Sequence, residues 1–297
     1  YDLAGEQTAV QDARGYFTTY AYDNAGRTKT VKDALGNVTT MGYDAAGRQV
    51  SMTDALGNMW KTGFDAVGHV VNSTTPLGFV ATSVYDEVGR QIAAVDPLGH
   101  RSTSVYDAAG RVQASVTPLG FRTTSTYDEV GNRTVVQDAR DYRVTTAYDP
   151  VNRTQAVQDQ LGYRTTYGYD PDGRNTTIQD ARGNFITLVY SSRGETLAEV
   201  DQGGRRTSYV YDPVGRRSSR QFANGDVTNY GYDAIGRLLT TVYADSTRVT
   251  MQYDPNSNRT TMVDSTGTTT YTFDPLNRMS GKTDPGSLSQ AYTYDPT

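Results

Sequence analysis

The side chains able to do chemistry are few and oddly placed. The sequence holds 2 histidines, no cysteine, and 33 acidic residues against 28 basic ones. Without a thiol there is no Cys nucleophile, thiolate metal site or disulfide, and the redox compartment stays open. His69 and His100 stand beside glycine-containing turns, where they read as solvated neighbours and not as ligands or catalytic bases. Most acidic residues occupy turn-starting positions, where a carboxylate accepts hydrogen bonds from nearby backbone. That explains them more simply than paired carboxylates for acid–base work. Asp170-Pro171-Asp172-Gly173 lacks the spaced oxygen ligands of a calcium loop, and Gly203-Gly204 has no strand-to-helix setting for a phosphate. No catalytic, cofactor-binding or metal-ligating constellation emerges, so a non-enzymatic protein with no cofactor is expected.

What recurs instead is a period. Tyr-Asp or an equivalent begins at Tyr1, Tyr22, Tyr43, Phe64, Tyr85, Tyr106, Tyr127, Tyr148, Tyr169, Tyr190, Tyr211, Tyr232, Tyr253, Phe273 and Tyr294. Of the 14 intervals, 13 are 21 residues and one, Tyr253 to Phe273, is 20. Internal repetition on this scale is the signature of a repeat architecture. The fullest units read Tyr22-Asp23…Gly26-Arg27, Tyr43-Asp44…Gly47-Arg48, Tyr85-Asp86…Gly89-Arg90, Tyr106-Asp107…Gly110-Arg111 and Tyr169-Asp170…Gly173-Arg174. A second Asp-x-x-Gly falls half a unit later, as in Asp33…Gly36. The rule covers residues 1–297 without a break, which predicts one continuous array of about 14 repeats, read as a slice of a longer one.

Asp-x-x-Gly is turn chemistry. A type I turn favours Asp first, Pro second and Gly fourth, and a left-handed Gly closes the three-residue hairpin loop. All 10 prolines, from Pro76 to Pro296, fall at the second turn position. Asn152, Asn277 and Asp141 replace Gly with residues that tolerate positive φ. Ser246, Ser257 and Ser287 fit less well, so looser turns are expected there.

Between turns lie six or seven residues rich in Thr, Val and Tyr, such as Asn37 to Tyr43. They are too short for an ordinary helix and suit a strand of about 20 Å. Residues two before the anchor (Tyr20, Met41, Tyr167, Leu188) share its face, and threonines three before it (Thr19, Thr40, Thr82, Thr103) take the other. The fold class is therefore all-β: an antiparallel hairpin meander of about 28 short strands at two per repeat. An open twisted sheet rarely exceeds about ten strands without curling, so the strip is expected to coil into a shell or a tube.

Composition closes off other classes. A hydrophobic content of 36% with mean hydropathy -0.61 argues against a large dry core, and 10% aromatics argue against disorder. No run of about 18 apolar residues is present, so no membrane insertion is expected. A net charge of -5 argues against nucleic acid as a partner. Arg27, Arg48, Arg90, Arg111, Arg153, Arg174, Arg216, Arg237 and Arg278 are expected to pair with a nearby turn Asp. The tyrosines are read as half-buried packing, with glycan stacking as the functional alternative. With Trp60 the only tryptophan, a Trp-rich choline cage is disfavoured.

The units Tyr22-Asp23-Asn24-Ala25-Gly26-Arg27 and Asp33-Ala34-Leu35-Gly36-Asn37 resemble the rearrangement-hotspot (RHS) or YD-repeat family, over the whole chain. That resemblance implies an exported, extracellular or cell-surface β-sheet scaffold forming part of a shell that encapsulates a toxin or effector. The alternative it leaves is a structural fibre or adhesin built from the same repeats, with glycans as ligands. Implied partners are neighbouring repeats, an enclosed effector domain, or further copies in a fibre. Asp96-Pro97-Leu98-Gly99 superficially resembles the Asp-Pro-x-Gly-type motif of the family's core segment, but it occupies an ordinary second-turn slot.

Overall fold

The computed structural model describes residues 1–295; Pro296 lies outside them. Its secondary structure is strand and turn throughout, from β1 (Ala9–Gln11) to β28 (Leu288–Ala291), in one antiparallel sheet of 28 strands. Strands of five and six residues alternate, as in β2 (Phe17–Tyr22), β3 (Thr28–Lys32) and β4 (Val38–Tyr43).

The turns explain the alternation. Gly26 N–H donates to Asp23 O at 3.0 Å and Asp23 N–H donates to Arg27 O at 2.9 Å, with Gly26 at φ 75°. This is a type I turn closed by a left-handed glycine, and it adds a bulge between Ala21 and Tyr22 where β2 pairs with β3. The half-unit turn repeats the pattern, Gly36 N–H to Asp33 O at 3.0 Å. The serine turns are not looser. Ser246, Ser257 and Ser287 sit at φ 65°, 69° and 67° and close with bonds of 3.0 to 3.1 Å. The surrounding ladder imposes the left-handed conformation even where the side chain disfavours it. The 20-residue interval is resolved as a shorter loop: Asp264 pairs directly with Gly267, leaving only Ser265 and Thr266 between β25 (Arg259–Asp264) and β26 (Gly267–Phe273).

By compactness the chain divides into two units. The first joins Tyr1–Thr82 with the stretch from Tyr230 onward; the second is Ser83–Asn229. Each is built from nearest-neighbour antiparallel ladders, such as β3 with β4 and, in the second unit, β11 (Val112–Val116) with β12 (Arg122–Tyr127). Among the described residues, no large side chain is fully buried. The buried set is Ala93, Ala114, Ala156 and Ala198 with Thr228, Thr241 and Thr269. The four alanines hold the same repeat position, on the face opposite the anchor tyrosines: Ala114 pairs with Val105 on one side and Thr124 on the other. The anchor tyrosines are half-buried, and the tightest packing is made by small residues on both faces: the alanines opposite the anchors, and Thr228, Thr241 and Thr269 on the anchors' own face.

In several hairpins that packing is size-matched, although others such as Thr126–Val135 and Val210–Ser219 are not. Val105 faces Ala114, Val189 faces Ala198 and Ala147 faces Ala156. In three hairpins a glycine faces the larger partner: Gly42 faces Ser51, Gly63 faces Asn72 and Gly168 faces Thr177. A Cβ on Gly63 would lie 2.7 Å from Asn72 Cγ, well inside contact distance.

Candidate functional site

The Tyr-Asp-x-x-Gly-Arg segments form a clasp between consecutive repeats. In the first full unit, Asp23 Oδ1 accepts from the backbone N–H of Ala25 at 2.9 Å and of Arg27 at 3.1 Å. Its other oxygen receives Arg27 Nε at 2.7 Å and Nη2 at 2.6 Å. This fork fixes the guanidinium plane. The plane lies 4.6 Å from the ring centroid of Tyr43, the anchor one repeat on, and Nη1 donates to Asp44 O at 3.4 Å. Tyr43 closes the circuit by donating its hydroxyl to Thr28 O at 2.8 Å. Successive tyrosines, too far apart to stack, are thus bridged by an arginine.

The arrangement recurs. Arg48 forks onto Asp44 and covers Phe64 at 4.7 Å; Arg90 forks onto Asp86 and covers Tyr106 at 4.8 Å. Arg111 holds Asp107 at 2.7 Å, lies 4.5 Å from the Tyr127 ring and donates to Asp128 O at 3.2 Å. Arg174 holds Asp170 at 2.6 Å and donates to Ser191 O at 3.0 Å. Gly47, Gly89, Gly110 and Gly173 all have positive φ between 81° and 84°, and Tyr22, Tyr85 and Tyr169 are half-buried anchors like Tyr43. In the half-unit turn Asn37 replaces arginine, its Nδ2 donating to Asp33 Oδ2 at 2.8 Å beside Gly36. His69 stands in the arginine slot with Nδ1 2.9 Å from Asp65 Oδ2, and His100 stands 2.8 Å from Asp96 Oδ2.

These bonds favour the charged form of Asp23, Asp44, Asp86 and Asp107. Arg27's side chain, then its backbone N–H, lowers Asp23 to about 2. Asp44, Asp86 and Asp107 are lowered first by the backbone N–H of Arg48, Arg90 and Arg111. Each carboxylate is spent on its own turn and fork, which leaves it little basicity for proton transfer. Among the described residues there is no group of three or more His, Asp or Glu able to hold a metal ion. Among the described residues, no helix is long and apolar enough to cross a membrane. An open groove of about 510 Å³ lies over Glu199, Asp201, Arg205 and Arg220 in the second unit, at the turn where Phe222 replaces the starting Asp.

A second arrangement, in the first unit, has no sequence motif. The turn at Asp12–Gly15 seats on two anchor turns far along the chain. Arg14 Nη2 donates to Asp274 O at 2.5 Å and Nη1 lies 3.8 Å from Asp254 Oδ2, while Asn256 Nδ2 donates to Asp12 Oδ2 at 2.6 Å. The Arg14 side chain is only 16% exposed.

The RHS repeat family profile matches residues 25–59, 106–142, 232–269 and 253–288. The same motif and turn geometry run between those stretches, and the chain belongs to this RHS, or YD-repeat, family. Its fold is similar to that of the crystal structure of TcdB2-TccC3, at 16% identity and TM-score 0.59, covering 96% of this chain and 22% of the other. The complex TcdB2-TccC3-Cdc42 matches at 16% identity and TM-score 0.58, covering 96% and 21%. The Photorhabdus luminescens Tc holotoxin pore matches at 16% and 0.59, covering 100% and 22%. The chain spans about a fifth of the length of these structures. Comparison with curated proteins gives no match.

Proposed function

We propose that this chain is a wall segment of a hollow RHS container, one continuous repeat array drawn from a longer one, that encloses a toxin or effector polypeptide of an exported complex. The coarser statement, a structural RHS scaffold, rests on the repeat family and the fold. The observation that carries the finer reading is the clasp. It spends the chemistry-bearing residues, Asp, Arg and Tyr, on joining each hairpin to the next, and so stiffens a sheet that has almost no buried core of its own. Tyr22, Asp23, Gly26, Arg27 and their equivalents are on this reading structural anchors and not ligand-binding or catalytic groups. The Tc complexes that the fold resembles agree with a container.

Protease protection tests it. A polypeptide co-purified with the array should resist cleavage until the array is unfolded, and electron cryomicroscopy should show density inside a wall. Cleavage at the rate of the free polypeptide would refute enclosure. A hydrolase or transferase activity abolished by one substitution outside the turns would refute the non-catalytic reading.

A further inference from the structure

Part of the second unit keeps acid out of its strands altogether. From β9 (Gln91–Val95) to β17 (Asn175–Gln179) no strand contains Asp or Glu, and the acidic residues are confined to the turns. The charged residues of these strands are Arg101, Arg122, Arg133, Arg143 and Arg164, and all five are exposed. Four of them hold one repeat position. Arg101, Arg122, Arg143 and Arg164 open the alternate strands β10 (Arg101–Tyr106), β12, β14 (Arg143–Tyr148) and β16 (Arg164–Tyr169). Each stands two residues before a threonine, Thr103, Thr124, Thr145 or Thr166, and so shares the threonine face. The result is a row of four positive charges at a pitch of two strands, about 10 Å.

These arginines differ from those of the clasp. Arg111, Arg153 and Arg174 are each held by a turn carboxylate at 2.6 to 2.7 Å. Among the described residues, the guanidinium groups of Arg101, Arg122, Arg143 and Arg164 have no hydrogen-bond or ion-pair partner. Nearby turn acids are engaged already: Asp138 accepts from the backbone N–H of Arg140 at 2.8 Å, and Asp141 accepts from Gln137 Nε2 at 2.9 Å. Two open grooves lie along the row. One, of about 400 Å³, is lined by Arg122, Thr124 and Gln137 together with Asp138 and Asp141; the other, of about 340 Å³, by Arg164, Thr145 and Gln158. Each puts a free guanidinium beside a threonine and a glutamine. Strand formation does not require arginine in this slot, which holds Val38, Met59, Val80 and Phe185 in other repeats.

The pitch selects the ligand. Duplex nucleic acid carries a charge about every 1.7 Å along its axis, so most of its phosphates would face no arginine while approaching the turn carboxylates at the sheet edges. An extended peptide returns a side chain to one face about every 7 Å and misses the row. An α-helix returns one nearly to the same line after seven residues, about 10.5 Å. The planar guanidinium fork fits a carboxylate. We infer that this row binds an acidic helical segment of another polypeptide, which presents a carboxylate at every seventh residue to successive arginines. The inference rests on the container reading for the source of that polypeptide, the enclosed one, and on the row alone for its chemistry.

Fluorescence anisotropy on the 297-residue chain tests it. The probe is a labelled helical Ala/Gln peptide of about three heptads with Glu at every seventh residue; the control peptide has the same composition with its glutamates consecutive. The spaced peptide should bind more tightly than the control and be released by salt. Arg122→Gln and Arg143→Gln should each weaken binding by about two- to fivefold. The variant with all four arginines changed to glutamine should bind the spaced peptide no better than the control, with wild-type far-UV circular dichroism; the single variants cover the case in which it misfolds. Arg133→Gln removes the same charge off the row and should bind like wild type. The inference is overturned if wild type does not bind the spaced peptide or binds both peptides equally. It is also overturned if Arg133→Gln weakens binding as much as Arg122→Gln, or if a DNA duplex of about 20 base pairs binds more tightly than the spaced peptide. Protease protection reads enclosure separately: binding without protection refutes the container alone, and undiminished protection by the four-arginine variant refutes this inference alone.

Discussion

Replacing Gly63 by alanine tests whether size-matched pairs hold the hairpins that carry them. Gly63 faces Asn72 across β6 (Met59–Phe64) and β7 (Val70–Thr74), and a Cβ there meets Asn72 Oδ1, Nδ2 and Cγ together. Rotating the amide about its last bond leaves Cγ in place, so the whole side chain must move. Overpacking of this kind costs about 1–3 kcal/mol. Removing a glycine from a strand returns about 0.5–1 kcal/mol by restricting the unfolded chain. Gly63→Ala should therefore destabilise the hairpin by roughly 0.5–2 kcal/mol. On an Asn72→Ala background the same change recreates the Ala147–Ala156 pairing found elsewhere in this chain. There it should stabilise by about 0.5–1 kcal/mol, and the sign reversal is the coupling. A repeat array need not unfold in one step, so the assay is native-state hydrogen exchange of β6 and β7 amides. There, about 1.4 kcal/mol is a tenfold change in opening. If Gly63→Ala is equally destabilising with and without Asn72→Ala, the size-matching argument fails.

Tyr127→Phe removes a 2.8 Å hydroxyl bond to Val112 O while leaving the ring under Arg111. It should cost about 1 kcal/mol in local exchange, and Tyr127→Leu, which also loses the stack, should cost about 0.5–1 kcal/mol more; equal effects would remove the stack from the account. Because Asp23 is lowered in the folded chain to about 2, its contribution is complete above the unfolded carboxylate range near 4. It is then lost as pH falls from about 4 through about 2. Denaturation midpoints should therefore be flat in this respect down to about pH 5 and fall below it, and Asp23→Asn should show a shallower acid limb. Ser246→Gly, at φ 65°, should stabilise its turn by about 1 kcal/mol in thermal or urea unfolding, since glycine takes that conformation without steric cost.

Much of this architecture is legible in the sequence because turn chemistry is local. Asp33-Ala34-Leu35-Gly36 fixes a loop from four residues, and two loops per 21 residues leave room only for two short strands. The pairing of Arg27 with its own turn Asp is equally readable, being four residues away. What is not legible is geometry across the sheet. Tyr43's acceptor, Thr28 O, is a backbone atom 15 residues back and carries no residue-type signal. The forward reach of Arg27 to Tyr43 becomes visible only when consecutive hairpins are laid side by side. The sequence carries a partial signal for the size-matched pairs, since glycine one before the anchor accompanies Ser51, Asn72 or Thr177, while Val105 and Val189 accompany alanine. The Arg14 seam had none: residues more than 240 positions apart meet through a turn that breaks the leucine habit of its slot.

The clasps described above sit at the anchor loops, whereas in half-unit loops Asn37 and Asn58 stand in the arginine slot and bond to their own turn Asp. The single irregular interval fits this division: the missing residue is taken from the half-unit loop between Asp264 and Gly267, and the ladder on either side keeps its alternation. Unequal exchange between repeats of the gene can therefore add or drop whole 21-residue modules and still rejoin one clasp to the next. The one length change in this chain is absorbed at a half-unit loop, on the margin opposite the clasps, so the succession of clasps continues past it.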